Sequence, residues 1–315
     1  MRVLVTGADG FVGAWLVPHL TTAGHDVVAA VRGDESSEEC LNRRQALSSA
    51  DIAELELSSD ESVDALLQQD FDAIVHLAAV ASVSEAGRNP LRAWEINTLG
   101  TVRLAEGVLK RSGDNRPVFL FVSTAEVYGR GPETPRRETD PVQPVSPYAA
   151  SKLAAEVGLM ELYRRVGLRA IVARPFPHTG PGQASSYVVP AFAERILLAK
   201  SIDAPVVQVG NLESVREFLH VADVVEAYRL LIEQGEAGET YNIASGAGVS
   251  LQEVFTKLTD VAGHRVLPET DTSLMRSVDL PYLVGDGTKI AEAVGWKSKV
   301  PLDQTLAEVV NAQAN

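Results

Sequence analysis

Short apolar runs alternate along this chain with longer stretches whose apolar residues recur every three or four positions. "RVLVT" (2–6), "DVVAAVR" (26–32), "IAELEL" (52–57), "FDAIVHLAA" (71–79), "VFLFVST" (118–124) and "LRAIVARP" (168–175) read as strands. "FVGAWLVPHLTTAG" (11–24), "DESVDALLQQ" (60–69), "LRAWEINTLGTVRLAEGVLKRSG" (91–113) and "SPYAASKLAAEVGLMELYRRVG" (146–167) read as helices. Strands nearly continuous in Val, Leu, Ile and Ala are those buried on both faces. The alternation therefore predicts an α/β fold with a doubly wound parallel sheet of Rossmann type.

After Pro175 the rhythm breaks. "PFPHTGPGQASS" (175–186) is a Pro/Gly/Ser loop, and "YVVPAFAERILLAK" (187–200) is helical. "REFLHV" (216–221) and "TYNIAS" (240–245) are short strands around the helix "ADVVEAYRLLIEQG". The tail holds smaller elements, among them "SLQEVFTKLTDVAG" and "LDQTLAEVVNAQAN". This predicts a dinucleotide-binding domain from residues 1–174 plus 216–245. A smaller α/β substrate-binding lobe comes from 175–215 plus 246–315, with the ligand cleft between the two.

Charge narrows the choice of ligand. Lys and Arg number 28 against 42 Asp and Glu, so the formal charge is 28 − 42 = −14. Such a surface repels nucleic acid and anionic lipid, so neither is expected as a partner. A phosphate-bearing ligand must be held by a local group of Arg, Lys and backbone N–H. The one cysteine, Cys40, allows no intrachain disulfide and reads as an incidental loop thiol. With no apolar run of about 18 residues, and strand-like residues from Arg2 onward, a cytoplasmic location is expected. No metal site is expected.

Three features carry chemistry. "TGADGFVG" sets Gly7, Gly10 and Gly13 between the first strand and the first helix. Such glycines permit a tight turn, close approach of a pyrophosphate, and close packing of helix on strand. The helix N-terminus at Phe11 and Val12 then faces the phosphates. The second strand ends at Arg32, where an NAD-preferring site tends to carry Asp or Glu. An arginine there can pair with a 2′-phosphate, so NADP (NADPH) is favoured and NAD stays possible. Asp34 and Glu35 offer the alternative of holding ribose hydroxyls. Glu56 and Leu57, at the end of the third strand, are candidates to flank the adenine.

The second feature is "SPYAASK". Tyr148 and Lys152 are four apart and share a helix face. A lysine so placed can lower the tyrosine pKa, and the tyrosine can pass a proton to or from a substrate oxygen. Lys152 is also placed to hold a nicotinamide ribose. The third is "VSTAEVYG", at the carboxyl end of the fifth strand, where ligands bind. Thr124 can hold a substrate hydroxyl or carbonyl. Glu126 is open between a catalytic base, a sugar-binding group and a solvated loop residue.

Together with "HLAA", "INTLGT", "RPF" and "REFLHVADVVEAY", these motifs resemble the extended short-chain dehydrogenase/reductases, also called the NAD-dependent epimerase/dehydratase family. The resemblance spans essentially the whole chain. It implies that Thr124 partners the substrate oxygen, Tyr148 is the general acid/base and Lys152 its support. It runs Leu77, Ala78 and Ala79 beside the cofactor and gives Asn97 a place in the sheet floor. The second half is most similar to the GDP-4-keto-6-deoxy-D-mannose reductases, with the GDP-mannose 4,6-dehydratases as a sister group. That implies a nucleotide-sugar substrate, with Arg216 and Arg276 on the pyrophosphate and Asp279 on the ribose hydroxyls. It sets Val188 and Val189 beside the guanine, and His178 in the substrate loop. The reductase loop Pro-Phe-Asn-His here reads Pro175-Phe176-Pro177-His178, and a proline offers neither side-chain bond nor N–H. The helices at 91–113 and 146–167 resemble those of a four-helix homodimer interface.

Overall fold

The computed structural model describes residues 1–33, 44–45, 47–111, 113, 115–275 and 279–314. Six strands alternate with helices as the periodicity requires: β1 (Arg2–Thr6), β2 (Asp26–Val31), β3 (Asp51–Glu54), β4 (Ala73–His76), β5 (Val118–Val122) and β6 (Arg169–Pro175). Short strands follow: β7 (His178–Thr179), β8 (Val206–Val209), β9 (Val215–Arg216), β10 (Leu219–His220), β11 (Thr240–Ile243), β12 (Val249–Ser250), β13 (Leu267–Thr270) and β14 (Tyr282–Leu283). The large sheet has the order β11-β6-β5-β4-β1-β2-β3, and all its pairs are parallel. The order reverses between β1 and β4, where a crevice opens at the carboxyl ends of the strands.

Alternate residues of each central strand enter different cores. Val3 and Val5 of β1 pack with Leu16, Val17 and Leu20 of the first helix and with Tyr228 of helix 221–234. Leu4 packs on the other face with Leu104, Leu159 and Leu162 of helices 101–111 and 147–166. A third cluster joins Val189, Phe192 and Ile196 to Phe255, Leu258 and Val309, all from the second half of the chain. The expected division at 246 is less simple than the sequence suggests. Ile290, Val294 and Trp296 pack into the core of the large sheet.

Several boundaries move for identifiable reasons. β3 is an exposed edge strand, and Leu55 and Leu57, read as part of it, are buried after its end. The stretch 91–113 is not one regular helix: α-helix at Pro90–Ala93 gives way to a π-helical turn over Trp94–Gly100, then α-helix resumes at Thr101–Arg111. "REFLHV" splits into β9 and β10, which pair with different partners. β8 and β13 pair in parallel over four residues, although 61 positions separate the partners. Among the described residues no helix is long and apolar enough to cross a membrane.

Candidate functional site

The turn after β1 is shaped by steric contact. Gly7 has φ +67°, and a Cβ there would lie 2.8 Å from the Ala78 backbone nitrogen. A Cβ on Gly13 would lie 2.4 Å from the Ala8 carbonyl oxygen, so helix 11–22 packs on the turn at a distance open only to glycine. Gly10 is the helix N-cap and brings no side chain to cap it. The first N–H groups at Phe11 and Val12 are therefore available to an anion. A dinucleotide pyrophosphate fits this cradle. Leu77, Ala78 and Ala79 line its other wall, partly buried.

The end of β2, where the adenosine is expected, holds charges of both signs. Arg32 follows β2, partly buried. Arg44 donates to the Arg32 carbonyl at 2.6 Å and pairs with Asp9 of the glycine turn at 3.1 Å. Arg44 lay in a stretch of irregular polar sequence with no signal to single it out. Asp34, Glu35 and Cys40 lie outside the described residues. The Glu54 carboxylate rests over Gly33. Glu56 accepts from the Ser58 N–H at 2.9 Å and hydroxyl at 2.6 Å. The Leu57 side chain is in the core against Gly100, and its carbonyl accepts from Arg103 at 2.6 Å.

Thr124, Glu126, Tyr148 and Lys152 come together at the end of β5. Thr124 caps the 3₁₀ turn Ala125–Tyr128, its hydroxyl accepting from the Glu126 N–H at 3.2 Å, and it also hydrogen-bonds to Tyr148. Burial, the Glu126 carboxylate and Tyr187 hold the Tyr148 pKa above the usual phenol range, opposed only by the Thr124 bond. This reverses the direction expected from the Tyr-x-x-x-Lys spacing. Lys152 is buried, with its ammonium 4.4 Å from the Phe121 ring centre. Burial pulls its pKa down to about 7, with Glu156 acting in the opposite sense.

Two buried networks hold these groups. Thr101 donates to the Asn97 carbonyl at 2.7 Å, so its oxygen accepts from His76 Nε2 at 2.9 Å. Nδ1 of His76 then accepts from Thr6 at 2.7 Å, and the Thr6 oxygen accepts from the Ala78 N–H at 3.2 Å. His76 is thus a neutral Nε2–H tautomer, its pKa lowered to about 3 by burial and the nearby Lys152 charge. Asn97, in the π-helical turn, bonds the Val80 backbone at 2.7 and 3.2 Å and Ser151 at 3.0 Å. Ser151 donates to the Tyr148 carbonyl at 2.8 Å. Asn97 thereby fixes helix 147–166 to the loop after β4.

On the far side of Lys152, Glu156 accepts from Ser123, the neighbour of Thr124, and from Arg174 Nε at 3.1 Å and Nη2 at 2.6 Å. Arg174 also donates to the Tyr128 hydroxyl at 3.0 Å, which donates to Asn242 at 2.7 Å. The sequence reading did not single out His76, Glu156 or Arg174. A carboxylate one turn beyond Lys152 on a helix face that must be buried was the available signal.

The residues expected at the substrate end come mostly from the second half. The His178 ring stacks on Phe11 at 6.4 Å, and its Nδ1 donates to the Phe176 carbonyl at 3.0 Å. Trp15 donates to the Pro181 carbonyl at 3.2 Å, so the glycine-turn helix is tied to loop 176–186. Val188 and Val189 open helix 188–201, with Val189 buried in the lobe core. Arg216 pairs with Asp279 at 2.9 Å, and Asp279 also accepts from Ser214 at 2.6 Å and Asn211 at 2.9 Å. Arg276 lies outside the described residues. Among those described, no group of three His, Cys, Asp or Glu is arranged to hold a metal.

A glycine cradle at a sheet switch point beside a Thr–Tyr–Lys group is suited to hydride and proton exchange at a sugar carbon. The family model described as GDP-mannose 4,6 dehydratase matches residues 4–309. The chain belongs to this family. It is an NAD(P)-dependent enzyme of nucleotide-sugar modification within the extended short-chain dehydrogenase/reductases. It is 33% identical over 313 residues to a Pseudomonas aeruginosa protein described as GDP-6-deoxy-D-mannose reductase, covering 98% of this chain and 96% of that one. A solved structure described as RMD from Pseudomonas aeruginosa complexed with NADPH superposes with a TM-score of 0.82 at 32% identity, covering 99% and 98% of the two chains. A UDP-glucose 4-epimerase from Thermotoga maritima, solved with UDP-glucose, gives 0.89 at 31% identity and 99% and 98% coverage.

Proposed function

We propose that the chain reduces the 4-keto group of a nucleotide-linked 6-deoxy sugar with NADPH, GDP-4-keto-6-deoxy-D-mannose being converted to GDP-D-rhamnose. The observation that carries this reading is the state of Tyr148. Its hydroxyl is bonded to Thr124, and burial beside Glu126 keeps it protonated. That is the form required to donate a proton to a carbonyl oxygen. The reductase of Pseudomonas aeruginosa at 33% identity supports the same reaction.

The nicotinamide supplies the hydride when bound. Thr124 and Tyr148 orient the keto oxygen and stabilise the charge that develops on it, and Tyr148 donates the proton. Lys152 holds the nicotinamide ribose and the charge balance around the phenol. The glycine turn and the N–H groups of Phe11 and Val12 hold the pyrophosphate. Arg32, aided by Arg44, gives the NADP preference, and NAD is the weaker alternative. Arg216 and Arg276 hold the substrate diphosphate, and Asp279, Ser214 and Asn211 the nucleoside ribose. His178 lines the sugar side of the cleft. The Rossmann domain and the smaller lobe close around this cleft in the cytoplasm. Leu91, Leu99 and Val157, exposed on helices 90–111 and 147–166, form the homodimer face.

A second reading rests on Glu126. Its charge acts on Tyr148, so a carboxylate stands where a base for a sugar C–H proton is needed, as in a 4,6-dehydratase. Absorbance at 340 nm with purified protein, NADPH and GDP-4-keto-6-deoxy-D-mannose tests both. A substrate-dependent fall is expected. A flat trace, with a 4-keto product formed from GDP-mannose without added cofactor, replaces the reductase by the dehydratase.

A further inference from the structure

Arg136 lies in the segment after the turn that carries Glu126. Its backbone is pinned: its N–H donates to the Val284 carbonyl at 2.8 Å, and its carbonyl accepts from the Asp286 N–H and from Asn242 Nδ2, both at 2.8 Å. The residue is 4% exposed. The guanidinium lies against Gly131, where a Cβ would fall 2.2 Å from Nη2. Among the described residues, neither its Nε nor its Nη2 finds a hydrogen-bond partner. A buried guanidinium left without an anion is costly.

The carboxylates around it are engaged elsewhere. Asp286 accepts from Arg137 Nε at 3.1 Å and the Thr288 N–H at 2.9 Å. Asp140 accepts from the Arg137 N–H at 3.0 Å, and Glu138 from the Asn242 N–H at 2.7 Å. Glu133, in the exposed loop 130–135, is the other carboxylate near in sequence. Arg136 is also one of the residues lining a cavity of about 400 Å³, with Pro132, Thr134, Arg137, Asp140 and Asp286 among the others.

We infer that this cavity is an oxyanion site. Arg136 takes the phosphate or carboxylate group of a small ligand through parallel N–H bonds from its fork, and Arg137, 72% exposed, closes the rim. The site uses none of the Arg216–Asp279 hydrogen bonds and does not depend on which nucleotide sugar the enzyme reduces.

Thermal unfolding decides it. The protein is titrated with inorganic phosphate, and separately with acetate, at constant ionic strength in chloride. Phosphate can also reach the glycine turn and Arg216, so the wild type is run beside Arg216→Met and Arg136→Met. A saturable rise of roughly 2 °C or more with at least one anion is expected in the wild type and in Arg216→Met. In Arg136→Met the rise falls well below that of Arg216→Met, and without phosphate that variant melts no lower than the wild type. Should Arg136→Met not fold, Arg136→Lys keeps the charge and loses the fork, and its phosphate midpoint is expected at least about threefold higher. An equal response in wild type and Arg136→Met, an unchanged midpoint in Arg136→Lys, or no response to either anion overturns the site. So does a large fall in melting temperature in Glu133→Gln, which would make the loop carboxylate the partner.

Discussion

The buried pair behind Lys152 gives the sharpest test of how the helix that carries Tyr148 and Lys152 is held. Glu156 and Arg174 are 4% and 7% exposed, and they meet through two hydrogen bonds of 3.1 and 2.6 Å. In Arg174→Met the carboxylate keeps only Ser123, and the Tyr128 hydroxyl loses a donor. Stranding one partner of a buried pair costs about 3–5 kcal/mol, whereas replacing both by apolar residues is often close to neutral. Glu156→Leu with Arg174→Met leaves the Ser123 hydroxyl without its acceptor, a loss of about 1–3 kcal/mol. The double variant should therefore lie well above Arg174→Met in stability, with a coupling of about 3 kcal/mol or more, because the two singles together cost far more than the double. Urea unfolding of the four proteins measures this cycle. Differential scanning should show Arg174→Met melting roughly 6–10 °C below the wild type, at about 2 °C per kcal/mol for a chain of this size. Strict additivity, with the double variant as unstable as the sum of the singles, would refute the claim that the pair acts as a unit.

The other predictions address the site directly. Tyr148→Phe should lower kcat by roughly 10²–10⁴-fold while leaving nucleotide affinity unchanged by equilibrium titration. Lys152→Met tests the depressed lysine. Its folded pKa of about 7 lies below the unfolded value, so the penalty for the buried ammonium is full below pH 7 and fades toward the unfolded pKa near pH 10. The variant should be stabilised most at pH 6, and the gain should shrink by about 1.4 kcal/mol per pH unit above pH 7. A pH-independent difference in urea midpoint would contradict this. Gly13→Ala forces a Cβ to within 2.4 Å of a backbone oxygen, so cofactor affinity should fall more than about 10-fold by fluorescence titration. Arg32→Asp should shift kcat/KM from NADPH toward NADH by about 10-fold or more.

Local pattern reached far in this chain because the central sheet is parallel. Strands buried on both faces must be apolar throughout, and crossover helices must intervene, so β1, β2, β4, β5 and β6 stand out from their neighbours. Gly7, Gly10, Gly13, Thr124, Tyr148 and Lys152 were legible for a similar reason. Each belongs to one short motif at a strand end or on a helix face, where spacing alone fixes geometry. What spacing could not supply was the environment. The four-residue interval of Tyr148 and Lys152 predicts their common face, but not that burial beside Glu126 raises the phenol while burial lowers the lysine.

The sequence by itself determined the order of elements, the glycine turn and the shared position of Thr124, Tyr148 and Lys152, because backbone sterics and side-chain period act within a few residues. Tertiary structure decided which distant charges meet. Arg174 reaches Glu156 across 18 positions, Arg216 reaches Asp279 across 63, and His76 joins Thr6 to Thr101 across 70 and 25. It also decided that Arg136 would be buried against Gly131 with its fork unclaimed. These partnerships depend on how strand ends and loops converge after the sheet has formed, and an ion pair carries no periodic signal in either of the segments that supply it.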